Sequence, residues 1–62
     1  MDEFDLILKE LRLARGGIEE AILKGDAGDY PAYRQLIGER LGFIKAEQAV
    51  EDLRNSLSRQ EQ

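Results

Sequence analysis

The sequence predicts an all-α fold: an antiparallel two-helix hairpin that is completed as an oligomer or by binding to a larger assembly. Three observations lead there. Apolar residues recur at three-and-four spacing along two long segments, the only cluster of turn residues lies between those segments, and the apolar positions exceed what two helices can cover on each other. With 62 residues the chain makes one small domain, and a domain of this size hides a smaller share of its surface than a longer chain does. Chains this short usually draw stability from disulfides, a metal or association. This one has no Cys and no His, which leaves association. The predicted unit spans the whole chain, with a helix over roughly 2–25, a turn at about 25–29, a helix over roughly 30–58 and a frayed tail from about 59 onward.

In the first segment Phe4, Ile7, Leu8, Leu11, Ala14, Ile18, Ala21 and Ile22 define one helix face. In heptad terms Phe4, Leu11 and Ile18 share one seam position, and Ile7, Ala14 and Ala21 the other. Asp2, Glu3 and Asp5 sit at the positive end of the helix dipole and Lys24 at the negative end. Glu20 and Lys24 are ordered for an i, i+4 ion pair, worth about 0.2–0.5 kcal/mol. Gly16 and Gly17 each cost roughly 1 kcal/mol relative to alanine in a helix interior, so they mark a bend or a close contact. Leu6, Leu13 and Leu23 fall off the seam and form an apolar surplus that monomers avoid leaving in water.

The turn is Gly25-Asp26-Ala27-Gly28-Asp29. Gly25 suits a left-handed helix stop and Asp29 a helix start, and a connection this short makes the helices antiparallel neighbours. Pro31 fits the first turn of the second helix, where its missing N–H would have no helical partner. Tyr30, held out of helical geometry by that proline, is an alternative cap to Asp29; the residues alone leave both open.

The second helix carries two apolar stripes. Tyr33, Leu36, Ile37, Leu41 and Ile44 form one over the first turns; Phe43, Ala46, Val50, Leu53 and Leu57 form the other over the last. At ~100° per residue the stripes are centred roughly 130° apart, more than the ~20° per heptad that a coiled coil absorbs. One partner helix therefore covers only part of them. On the same helix Gly38, Gly42, Ala46, Ala49 and Ser56 fall in one narrow sector, a ridge along which backbones can approach closely. Glu39 and Arg40 lie between the two glycines, so this is not a membrane span. The ridge predicts a tight contact with the first helix, at Gly16 and Gly17, or with another subunit; the competing reading is a solvated face.

The run Asp29-Tyr30-Pro31-Ala32-Tyr33-Arg34-Gln35-Leu36-Ile37-Gly38, followed by Leu41-Gly42-Phe43 and an acidic, apolar helix, resembles small helical proteins encoded near the head and portal genes of tailed bacteriophages. The similarity covers about half the chain, from Gly25 to Leu53. In that family an Asp-Tyr-x-x-Tyr-Arg-x-Leu-x-Gly-x-x-x-Gly-Leu pattern opens the second helix of a hairpin, and Phe43 stands here where the family has Leu. The resemblance implies a minor component of a virus particle, with Tyr30, Tyr33, Arg34, Gly38 and Gly42 as motif positions and no catalytic residue.

Nine basic against thirteen acidic residues give a net charge of −4. Such a field repels phosphate backbones and anionic lipid, so neither nucleic acid nor membrane is expected as a partner. The apolar runs are far shorter than the ~20 residues of a membrane span, and the acidic start Met1-Asp2-Glu3-Phe4-Asp5 is unlike a secretory signal. The chain is expected to be soluble, not secreted, and located in a virion or the host cytoplasm.

Catalysis is not expected. Adjacent carboxylates at Glu19-Glu20 and Glu51-Asp52 point about 100° apart on a helix and are expected in solvent. Ser56 and Ser58 have no histidine base, and Lys9, Lys24 and Lys45 occupy polar positions. Asp26 and Asp29 lack the further ligands of a calcium loop and read as turn residues. No cofactor or metal is called for. Tyr33 and Tyr30 are the aromatic candidates for a recognition patch.

Two functions follow as expectations. The first is a structural or assembly protein that self-associates or joins larger virion proteins. Leu6, Leu13, Ile37, Leu41 and Ile44 would then lie on one side, and Gly38, Gly42, Ala46 and Ala49 would form the close-packing strip. The second is a small acidic regulator of one cytoplasmic protein, docking through Asp2, Glu3, Asp5, Glu10, Glu19 and Glu20.

Overall fold

The computed structural model describes residues 2–60. They form two helices, α1 (Glu3–Lys24) and α2 (Tyr30–Gln60), packed against each other as an antiparallel hairpin.

Each helix end is satisfied by the local chemistry of its residues. At the start of α1 the Asp5 N–H donates to the Asp2 carboxylate at 2.8 Å, and the Asp2 N–H donates back to the Asp5 carboxylate at 3.3 Å. This reciprocal capping box satisfies two backbone donors. At the other end Gly25 adopts a left-handed conformation (φ 70°); its N–H donates to the Ile22 carbonyl and the Asp26 N–H to the Ala21 carbonyl, each at 3.1 Å. That pattern is a Schellman stop, which a residue with a Cβ would strain. The cap of α2 is Asp29 rather than Tyr30: its carboxylate accepts from the Ala32 N–H at 2.8 Å and its carbonyl from the Tyr33 N–H at 3.0 Å. Tyr30 is the first helical residue and Pro31 the second.

One sequence expectation about helix extent changes. α2 continues through Arg59 and Gln60, where fraying was predicted, and Arg59 lies in its last turn where a cation complements the dipole. The rest of the predicted tail, Glu61 and Gln62, lies outside the described residues. α1 runs unbroken through Gly16 and Gly17.

The seam between the helices is rotated from the predicted one. Phe4, Leu11 and Ile18 keep one heptad position on α1, but the other is held by Leu8, Arg15 and Ile22, while Ile7 and Ala14 face outward. On α2 the seam positions are Leu36, Phe43 and Val50 in one heptad row and Arg40, buried Glu47 and Arg54 in the other. The rotation has an electrostatic reason: it brings Asp5, Arg12, Arg15 and Glu19 of α1 within reach of Arg54, Glu47, Glu51 and Arg40 of α2. Half of the α2 side of the seam is thus charged, and Leu8, 2% exposed, is the sole buried apolar residue among the described residues.

The result is a slab one helix thick, 51 × 19 × 11 Å, with a radius of gyration of 14.8 Å. A compact chain of this length would measure about 11 Å. Domains normally consist of at least two packed layers; the hairpin supplies one.

Candidate functional site

The helix ends and the ion pairs decide what the slab presents. Arg40 Nε donates to Glu19 Oε2 at 2.7 Å, Arg12 Nε to Glu47 Oε1 at 3.3 Å, and Arg54 Nη1 to Asp5 Oδ1 at 2.7 Å. Each step of one heptad up α2 matches one heptad down α1, and the sign alternates along both helices. A slip by one heptad would set Arg40 against Arg12 and Glu47 against Asp5. Exposed pairs of this kind add under about 1 kcal/mol each, but like-charge opposition makes the slipped registers costly. Arg12 Nη2 also donates to Glu51 Oε1 at 3.0 Å. Arg15 Nε lies 3.4 Å from Glu47 Oε2, close enough for attraction but outside hydrogen-bond geometry.

Glu19 and Glu51 are therefore seam residues, not the solvated carboxylates predicted. The signal was present in the sequence as Arg40, Glu47 and Arg54 at heptad spacing, facing Glu19, Arg12 and Asp5 in reverse order. The predicted i, i+4 pair of Lys24 with Glu20 is formed, at 2.8 Å. Of the six acidic residues expected on a docking face, Asp2 caps α1 while Asp5, Glu19 and Glu20 are held by cations of the same hairpin. That leaves Glu3 and Glu10 without an ion-pair partner among the described residues.

The slab has two broad faces. On one, Leu11 and Phe43 are shared by two adjoining grooves, one lined also by Leu6, Ile7, Glu10 and Ala14 and the other by Glu39, Gly42 and Ala46. On the opposite face further grooves are lined by Ile22, Leu23, Ile37 and the Arg40–Glu19 pair, and by Leu13 beside Lys9 and Arg12.

The predicted interaction residues distribute over both. Leu6, Leu13, Tyr30, Tyr33, Ile37 and Leu41 are all exposed, Leu13 at 62%, and Ile44 and Ala46 are half-buried. Leu6 and Leu13, one heptad apart, both point outward along the edge of α1; Leu6 borders the Phe43 groove, Leu13 the groove beside Lys9 and Arg12, and Ile37 a third groove. Tyr30 projects at the turn end, 68% exposed.

Gly38, Gly42 and Ala49 are exposed on the outward side of α2, and Gly42 lines the groove beside Phe43. The prediction that the glycine ridge packs tightly on the first helix is corrected. A Cβ built on Gly38, Gly42, Gly16 or Gly17 would meet nothing within 4 Å, because the seam lies roughly 130° around α2 from the ridge at ~100° per residue. Neither glycine pair is needed for the two helices of one hairpin to approach.

Ile7 and Leu53 are contact candidates that the sequence did not single out. Both are large, apolar and about half exposed; periodicity alone places Ile7 in the seam and so hides its outward position. What the surface offers chemically is apolar contact bordered by charge. Among the described residues no group of three or more His, Cys, Asp or Glu is placed to hold a metal ion, and no helix is long and apolar enough to cross a membrane. No protein-family model matches the chain, and no curated protein or solved structure matches it.

Proposed function

We propose that the chain is a non-enzymatic structural or assembly protein whose work is done by its outward apolar surfaces in contact with other protein. The observation that carries this reading is burial: Leu8 is the sole buried apolar residue while ten large hydrophobic side chains, Leu23 the most open at 87%, stand exposed among the described residues. Exposed apolar side chains that gather into patches mark protein contact sites, and here Leu6 and Ile7 adjoin Leu11, Ala14 and Phe43 in one groove. The resemblance of the Asp29–Gly42 run to small phage proteins supports a place in the head or portal region of a tailed-phage particle. Copies of the chain and larger virion proteins are then its partners, in the virion or the host cytoplasm.

Quantitative mass spectrometry of purified particles from the source tests this placement. The expected result is the intact chain in a fixed, repeating ratio to the portal or major head protein. Particles that lack it would contradict the virion placement.

A further inference from the structure

We propose that a second copy of this chain covers the face carrying Ile7, Ala14 and Gly17 of α1 and Gly42, Ala46 and Leu53 of α2. The two slabs pack face to face about a two-fold axis running along the helices and form a four-helix bundle. This rests on the assembly reading above and names its first partner.

Area is the first support. The chain exposes 4825 Å² at a mass of 7.0 kDa, whereas a compact monomer of that mass exposes about 4,000 Å². The excess, roughly 800 Å², equals the share each partner contributes to a standard protein–protein interface. A second slab also supplies the missing layer: the thickness of 11 Å is that of one helix, and two such layers have the proportions of a four-helix bundle.

Symmetry and charge select a second copy as the occupant. A two-fold axis along the hairpin leaves every residue at its own height, so α1 of one copy lies over α2 of the other in the register that the Glu19–Arg40 and Arg12–Glu47 pairs set within one hairpin. Gly17 then lies over the partner's Gly42, Ala14 near the partner's Ala46 and Ala21 over the partner's Gly38. Small residues meet small ones and the backbones can close up, while Ile7 meets the partner's Leu53 at the end of the face. The same axis places the outer edge of α1 along the outer edge of the partner's α2. Glu3 and Glu10 share the heptad row of Gly17 on this face, and Glu10 lines its groove, while Lys45 lies on the outer edge of α2; none of the three has an ion-pair partner within the hairpin among the described residues. Glu10 comes within side-chain reach of the partner's Lys45. The opposite face carries the ion-pair row, whose burial would cost desolvation, and is left open with Ile37 and Leu41.

Sedimentation equilibrium with circular dichroism on the full chain tests this. The parent should be a dimer at micromolar concentration. Gly42→Leu fits its own hairpin, since nothing lies within 4 Å of a Cβ there, but meets the partner's Gly17; Kd should rise at least about tenfold, as overpacked contacts require, with helicity kept at high concentration. Glu10→Lys and Lys45→Glu should each raise Kd about fivefold and the double variant should restore it. Ile37→Ser should leave Kd unchanged. A dimer indifferent to Gly42→Leu, or a double charge reversal that fails to restore affinity, overturns the proposal. If Ile37→Ser alone weakens the dimer, this face is wrong and the assembly reading stands; a folded chain that is monomeric at every concentration removes both.

Discussion

Leu8→Ala should cost about 2–5 kcal/mol, the range for truncating a fully buried leucine. For a chain of this length total stability is on the order of 3–9 kcal/mol, so the variant is expected to lose most of its cooperative thermal transition. The effect is large because Leu8, at 2% exposure, has no second buried apolar residue among the described residues to share its role. Leu13→Ala, further along the same helix but 62% exposed, should change stability by no more than about 0.5 kcal/mol. Thermal melts of the two variants side by side check the pair. Equal effects would show that α1 is rotated differently from the seam described above.

Glu47→Lys should destabilise the hairpin by about 3–5 kcal/mol, the cost of breaking a buried pair and leaving charge uncompensated. Glu47 is 7% exposed and faces both Arg12, at 3.3 Å, and Arg15, at 3.4 Å; a lysine there gathers three cations. Added salt should recover part of the loss by screening that repulsion. Glu47→Leu should behave differently. An apolar side chain of similar size in this position is often neutral or stabilising, but it removes the central member of the alternating row, and the helices should then populate slipped registers. Chemical denaturation for the first variant, and inter-helix distances between spin labels for the second, read these outcomes. A Glu47→Lys protein as stable as the parent would mean that the ion-pair row has no part in setting the register.

The fold class, the turn and two of the four helix ends were legible because they depend on residues adjacent in sequence. Gly25 in the left-handed stop and the acidic first turn of α1 each act through backbone groups a few residues away; at the start of α2 the residues left Asp29 and Tyr30 both open, and the Ala32 N–H chooses Asp29. The seam was harder to read. Ile7 and Leu8 are neighbours with nearly equal claims on it, and apolar spacing alone does not choose between them. Arg12, Arg15, Asp5 and Glu19 choose, by pairing with charges some distance along the chain. Treating every charge as part of a solvated face discards that information. The same holds for the glycines: the spacing of Gly38 and Gly42 places them on one side of α2, but whether that side meets α1 depends on the rotation of α2, fixed by Arg40, Glu47 and Arg54.

The surplus of exposed apolar surface over what a single hairpin hides is the claim on which the functional reading depends. Following helicity and melting temperature by circular dichroism through a dilution series from micromolar to nanomolar chain tests it most directly. Coupling of folding to association requires the melting temperature to fall with dilution and the helical signal to be lost at the low end. A fully helical 7.0 kDa monomer at nanomolar concentration, melting at a temperature that does not depend on dilution, would contradict it.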